Sequence, residues 1–172
     1  DGTEEGTAMV ANLDSTAMGS FSADNEFFAF GDLLLFSADT PDNEDDLFIS
    51  DGTAEGTHVL QVFQGDFFER PPFNFALYNG HVYFTADDDL VGDGLWRTDG
   101  TPEGTERVRF FRVEFNAEDP ESVNMGSVLA FVAKTFDAGY ELWTTDGTEA
   151  GTELFDIRPG MTDSDPAQLA RV

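Results

Sequence analysis

The stretch GLWRTDGTPEGT, residues 94–105, decides the fold because its second half recurs along the chain. The block DGTPEGT at residues 99–105 has close copies: DGTEEGT at residue 1, DGTAEGT at residue 51 and DGTEAGT at residue 146. The copies are therefore 50, 48 and 47 residues apart. Repeats of this length are typical of propeller blades and solenoid units.

Two apolar runs precede each later copy at fixed distances. The nearer run contains a Leu-aromatic pair, which is Leu47/Phe48, Leu95/Trp96 or Leu142/Trp143. The farther run reads LLLFSA at 33–38, VYFTA at 82–86 and LAFVA at 129–133, and its phenylalanine always lies 15 residues before the next DGT. The constant spacing predicts a hairpin of fixed length, so insertions fall in the loop that follows the block.

Each repeat is predicted to form four short strands, a to d, because its segments are short, rich in β-formers and bounded by Gly, Pro, Asp and Asn. Strand a is expected at 21–30, 72–79, 120–126 and 166–172; strands b and c are the two apolar runs. Strand d follows each GT, where apolar residues alternate and predict one buried face. Two equivalent positions of strand d, two residues apart, are apolar in most copies. The first is Val10, Leu60, Val108 or Phe155, and the second is Val62, Phe110 or Ile157.

This pattern predicts an all-β protein built as a β-propeller-like stack of four-stranded antiparallel blades. The chain would be one repeat array over 1–172, with repeats 1–50, 51–98, 99–145 and a partial 146–172. That makes about 3.5 blades, fewer than the four that the smallest closed propellers contain. We therefore expect a fragment or half of a closed propeller, completed by a protein partner or a second copy.

The charge of the chain excludes several partners. Its 35 acidic and 8 basic residues give a net charge of −27, which repels nucleic acid and anionic membranes. No apolar run approaches the length of a membrane span, so no membrane insertion is expected. Acidic residues are spread along the whole chain, which favours a solvated surface over dedicated cation sites.

The repeated block is interpreted as turn scaffold rather than as a binding site. Glycine can adopt a positive φ, and Asp and Thr side chains can bond to turn backbone. One aspartate per block is too few for calcium, which takes six to eight oxygen ligands. The predicted structural turn residues are Asp51, Gly52, Thr53, Gly56, Asp99, Gly100, Gly104, Asp146, Gly147 and Gly151.

Two acidic loops between strands b and c are the candidate calcium sites. DTPDNEDD at 39–46 and DDDLVGDG at 87–94 each gather four or five acids around a turn. Neither has the spacing of a known calcium loop, so a solvated acidic loop is the alternative and no cofactor is certain. The candidate ligands are Asp39, Asp42, Asp45, Asp87, Asp89 and Asp93.

A candidate partner-binding patch lies in the loop QGDFFERPP, where Phe67 and Phe68 flank Arg70. Strand alternation cannot bury both phenylalanines, so the alternatives are a partner contact and local packing. No residues are proposed as catalytic. The chain has no cysteine and no GxSxG, HExxH or P-loop pattern, and its two histidines occupy different strand positions.

The run ELWTTDGTEAGTELFDIRPGMTDSDPAQL at 141–169 resembles the ELWxxDGT repeat family, and NGHVYFTADDDLVGDGLWRTDGT at 79–101 is similar to the segment that precedes this motif. The family consists of tandem repeats of about fifty residues in large secreted or surface bacterial proteins. The resemblance implies a propeller-like fold and an extracellular, cell-surface or periplasmic location. It implies no catalytic residues.

The expected function is a noncatalytic structural or interaction module of such a repeat protein, serving in surface adhesion, assembly or as an accessory subunit. The alternative is a propeller that binds or hydrolyses glycans, with its variable loops gathered at one rim.

Overall fold

The structure is a computed structural model that describes residues 2–13, 26–40, 45–63, 71–88, 94–111, 122–135 and 137–171. Every regular element in these ranges is a β-strand. Within them, no helix is long and apolar enough to cross a membrane.

Twelve strands in these ranges form three four-stranded sheets, and within each sheet the strands are antiparallel and follow chain order. Sheet A contains Phe27–Phe30 (β1), Leu33–Ala38 (β2), Asp46–Ser50 (β3) and His58–Gln61 (β4). Sheet B contains Phe73–Tyr78 (β5), His81–Ala86 (β6), Gly94–Thr98 (β7) and Glu106–Phe110 (β8). Sheet C contains Ser122–Asn124 (β9), Leu129–Thr135 (β10), Gly139–Thr145 (β11) and Glu153–Phe155 (β12). The prediction of an all-β chain with four-stranded antiparallel sheets is confirmed.

The central hairpin has the same register in every sheet. Phe36 pairs with Phe48, Phe84 with Trp96 and Phe131 with Trp143. Because paired residues point to the same side, each pair marks one face of its sheet, which we call the aromatic face. The neighbouring Leu47, Leu95 and Leu142 mark the opposite side, the leucine face.

The sheets pack face to face in chain order. The leucine face of sheet A and the aromatic face of sheet B share one buried cluster, which includes Leu35, Leu47, Phe84 and Trp96. The leucine face of sheet B and the aromatic face of sheet C share a second cluster, formed by Tyr83, Leu95, Phe131, Trp143 and their neighbours. Sheet B therefore lies between the other two, and the same head-to-tail packing occurs twice.

Two of the predicted strands are absent. Residues 166–171, expected as a fourth strand a, and residues 8–13, expected as a first strand d, contain no strand. A strand is held by hydrogen bonds to a neighbouring strand. The described strands b and c all belong to sheets A, B and C, and neither segment pairs with a described strand.

The predicted burial of strand d is only half correct. Leu60 and Val108 are buried as expected, but Val62 and Phe110 are exposed. The pairing shifts opposite Leu60 and Val108, where each strand has a β-bulge. One extra residue turns the following side chains to the other side, so Val62 and Phe110 point outward. In sheet C, Phe155 is half exposed.

Candidate functional site

The feature that sheets A, B and C share most closely is the turn between strands c and d. In sheet B, Asp99 Oδ1 accepts hydrogen bonds from Thr101 N at 2.9 Å and Thr101 Oγ1 at 2.7 Å. Thr101 Oγ1 in turn accepts from Gly104 N at 3.0 Å, and Thr105 Oγ1 donates to Thr101 O at 2.7 Å. The polar groups of the block are thus bonded to one another within the turn.

The residue before each aspartate completes this network. Thr98 Oγ1 accepts a hydrogen bond from Gly100 N at 3.0 Å and lies 2.8 Å from Thr105 Oγ1. Turns 50–57 and 145–152 repeat every one of these bonds. The preceding Ser or Thr was not identified from the sequence, although it stands at the same place in all three copies: Ser50, Thr98 and Thr145.

The second glycine of the block is required by contact with the aspartate. A Cβ on Gly104 would lie 2.0 Å from Asp99 Oδ1, and a Cβ on Gly56 or Gly151 would lie 2.0 or 2.1 Å from the matching aspartate oxygen. These separations are far below a van der Waals contact. The aspartate side chain therefore occupies the position where any residue other than glycine would carry its Cβ.

The first glycine has a different requirement. Gly147 has φ +97°, which L side chains rarely adopt, and a Cβ there would lie 2.4 Å from Tyr83 Oη of sheet B. Arg97 Nη1 of sheet B donates to Gly147 O at 2.9 Å. The turn of sheet C therefore also rests against the leucine face of sheet B.

The turn hydrogen bonds lower the pKa of Asp51, Asp99 and Asp146, with the hydroxyl of the following threonine as the largest cause. An aspartate with a lowered folded-state pKa contributes stability that is present above its unfolded pKa. That contribution is lost as the pH falls through the folded-state pKa, so these turns weaken only in acid.

A buried carboxyl group holds the segment that follows strand d. Asp46 is buried, and its Oδ1 accepts a hydrogen bond from Phe63 N at 3.2 Å. Glu141, at the same position in sheet C, accepts from Ile157 N at 3.0 Å. Burial raises the pKa of Asp46 to about 6, against the lowering effect of the hydrogen bonds from Phe63 and Thr40. Sequence reasoning missed these groups, which differ in type between the repeats.

Asp46→Asn is expected to stabilise the protein at neutral pH. The raised pKa means that folding favours the protonated carboxyl, so its stabilisation is complete below the unfolded pKa and is lost as the pH rises through about 6. The free energy of unfolding of the variant should exceed that of the parent by about 2 kcal/mol at pH 7.5, and the gap should narrow towards pH 4.5.

Urea unfolding at several pH values measures this difference. The exposed Asp156→Asn removes the same charge and serves as the control, because it should change stability little at any pH. A gap between Asp46→Asn and the parent that is constant with pH would contradict the assignment.

The candidate calcium ligands are only partly described. Asp39 Oδ1 accepts a hydrogen bond from Asp45 N at 3.1 Å, so these two residues lie together. Asp87 follows the end of β6, whereas Asp42, Asp89 and Asp93 lie outside the described residues. Among the residues that the structure describes, no group of three His, Cys, Asp or Glu is placed to hold a metal ion. Calcium binding stays a prediction.

The candidate partner patch of Phe67, Phe68 and Arg70 also lies outside the described residues. The arginines of strand β8 are described. Arg109 Nη1 donates to Glu149 O and Thr152 O of sheet C at 3.2 and 3.0 Å, and the guanidinium lies 5.5 Å from the Trp143 ring centroid. Arg109 therefore joins two sheets.

A phenylalanine that follows strand d packs against the tryptophan of the next sheet. Phe63 meets Trp96 edge to face with ring centroids 5.1 Å apart, and Phe111 meets Trp143 in the same way at 4.9 Å. Each follows the first residue of its block by 12 residues, as does Leu13. This constant spacing is a signal that could have revealed the feature, but the β-bulges obscure the strand alternation.

One open crevice lies between sheets B and C. It has a volume of about 570 Å³. Its lining combines apolar surface with an Arg and an Asp, and includes Arg109, Phe110, Phe111, Asp137 and Trp143. Such a mixture of apolar walls and a few polar groups is typical of small-molecule sites.

Comparison of the chain with protein-family models, with curated proteins and with solved structures found no match.

Proposed function

We propose that this protein is a noncatalytic structural and interaction module of an extracellular or periplasmic repeat protein, with its sheets arranged as in a propeller. The observation that carries the proposal is the repeated head-to-tail packing of sheets A, B and C. Repeated units that contact only their neighbours usually present a surface rather than a single reactive centre. The resemblance to the ELWxxDGT repeat family supports the location.

The turns support the same proposal. Their Asp, Thr and Gly groups are bonded to one another in three matching copies, so their chemistry serves the connection between strands. Bonds from Arg97 and Arg109 to the next sheet then fix the sheets relative to each other. A rigid stack of this kind suits adhesion, assembly or a role as an accessory subunit.

Glycan binding or hydrolysis is the second candidate function, favoured by the crevice between sheets B and C. Aromatic walls can contact the apolar face of a sugar ring, and Asp137 could accept hydrogen bonds from its hydroxyl groups. The net charge of −27 opposes anionic glycans, so neutral ones are the relevant ligands.

A neutral glycan array and a reducing-end assay on neutral polysaccharides distinguish the two candidates. We expect neither binding nor turnover by the parent protein. Binding or cleavage that is lost in Asp137→Asn and in Phe110→Ala, two changes at exposed residues of the crevice, would establish the second function instead.

A further inference from the structure

The aromatic face of sheet A is more exposed than that of sheet B at two equivalent positions. Phe27 is 56% exposed, whereas Phe75, which likewise precedes the hairpin phenylalanine by nine residues, is 7% exposed. Leu34 is 36% exposed, whereas the equivalent Val82 is 0% exposed. A cavity of about 530 Å³ opens on this face. Among the described residues, no sheet lies against this face in the way that sheet A lies against sheet B.

Part of a cover for this face is already present. The turn at residues 2–7 shares two bonds with the other turns: Gly6 N donates to Thr3 Oγ1 at 3.0 Å, and Thr7 Oγ1 donates to Thr3 O at 2.7 Å. Leu13 packs against Phe36 and Phe48, in the way that Phe63 packs against Phe84 and Trp96. Residues 8–13 thus occupy the place of a strand d without forming a strand.

The interface between sheets A and B shows what chemistry the rest of the cover needs. A Cβ on Gly100 would lie 3.4 Å from Phe30 Cε1 and 3.5 Å from Ile49 Cδ1 of sheet A. At the equivalent Gly52 no atom lies within 4 Å of that position. The occupant must bring apolar side chains to the positions that Phe30 and Ile49 hold at the next interface.

We propose that the aromatic face of sheet A is a docking surface for three β-strands of the same repeat type, which take residues 8–13 as their fourth strand. The partner is a three-stranded antiparallel sheet with an apolar leucine-type face, presented by a protein of this repeat class. Backbone pairing along residues 8–13 supplies the register, and burial of Phe27 and Leu34 supplies the driving force.

An intact second copy does not fit this surface. The leucine face of its sheet C is partly covered, since Val132 is buried there, and that sheet already has its own fourth strand, Glu153–Phe155. This strand would take the space that residues 8–13 hold. The inference rests on the proposed structural function, because it assumes that the packing between sheets A and B recurs at this end of the stack.

The test supplies the three strands within one polypeptide. The full chain is extended by a second copy of residues 26–50 placed directly before residue 1, which mimics the connection from Ser50 to Asp51. The midpoint of thermal unfolding should rise by at least about 5 °C. Amide hydrogen exchange of residues 8–12 should slow at least about tenfold, because strand pairing protects these groups.

A matched extension carries Ser in place of Phe30, Leu35, Leu47 and Ile49 in the added copy alone. It keeps the length of the added strands but loses the apolar face, so neither change should appear. Unprotected residues 8–12 in the unaltered extension would overturn the proposal.

Sedimentation of the parent chain tests whether an intact second copy covers this face instead. A dimer that Phe27→Asp abolishes would mean that an intact copy covers this face, and would also overturn the proposal. Glycan turnover by the parent together with protected residues 8–12 in the extension would remove the proposed function and leave the docking surface standing.

Discussion

Gly104→Ala is expected to lower the free energy of unfolding by about 2 kcal/mol, since the new Cβ would lie 2.0 Å from Asp99 Oδ1. The carboxylate must move, and it then loses its hydrogen bonds from Thr101 N and Oγ1. Urea unfolding of the variant measures the loss. Gly56→Ala and Gly151→Ala should give losses within about 1 kcal/mol of this value, because their turns have the same bonds.

A double-mutant cycle isolates this contact. Asp99→Ala removes the carboxylate that the added methyl group would strike, so Gly104→Ala should cost less than about 1 kcal/mol in that background. Asp99→Ala alone should cost about 1 kcal/mol, because its bonds compete with water at the surface. Additive losses in the double variant would mean that the glycine is required for another reason.

Phe75→Ala should lower the free energy of unfolding more than Phe27→Ala, the same change at the equivalent position of sheet A. The Phe75 ring lies between sheets A and B, with its centroid 5.6 Å from that of Phe84 and 5.8 Å from that of Phe28. Its removal leaves a cavity in a buried cluster and should cost about 3 to 4 kcal/mol. The same change at Phe27 should cost less than about 1 kcal/mol, because that ring is exposed on the aromatic face of sheet A.

Chemical unfolding of both variants at one protein concentration and one salt concentration makes the comparison. Phe75 is buried between two sheets, whereas Phe27 is exposed. Equal losses would show that packing between sheets contributes little, and would count against the stack as the source of stability.

Much of the fold was predictable because it depends on local pattern. The constant spacing between the hairpin phenylalanine and the block predicted strands b and c, and Phe36–Phe48, Phe84–Trp96 and Phe131–Trp143 indeed pair. The expected strands at 8–13 and 166–172 were wrong for 8–13 and for the described part of the second segment. Apolar alternation indicates a capacity to form a strand, but a neighbouring strand must be present.

The candidate sites were less predictable because a site depends on convergence in space. Asp46 was counted among the residues of a loop, yet it is buried and holds Phe63 N. Arg109 bonds to two backbone carbonyls of the next sheet, Glu149 O and Thr152 O. No spacing in one repeat indicates which groups of the following repeat lie against it.

The amino-acid sequence by itself determined the repeat, the four-stranded sheets and the turn in which Asp, Thr and Gly bond to one another, since the sheets and turns form within one repeat and the same pattern recurs in the next. Only the tertiary structure decided which face of each sheet meets the next, which carboxyl is buried and which of two equivalent phenylalanines is exposed. Those outcomes depend on contacts between residues far apart in the chain, from 17 positions for Asp46 and Phe63 to 50 for Arg97 and Gly147.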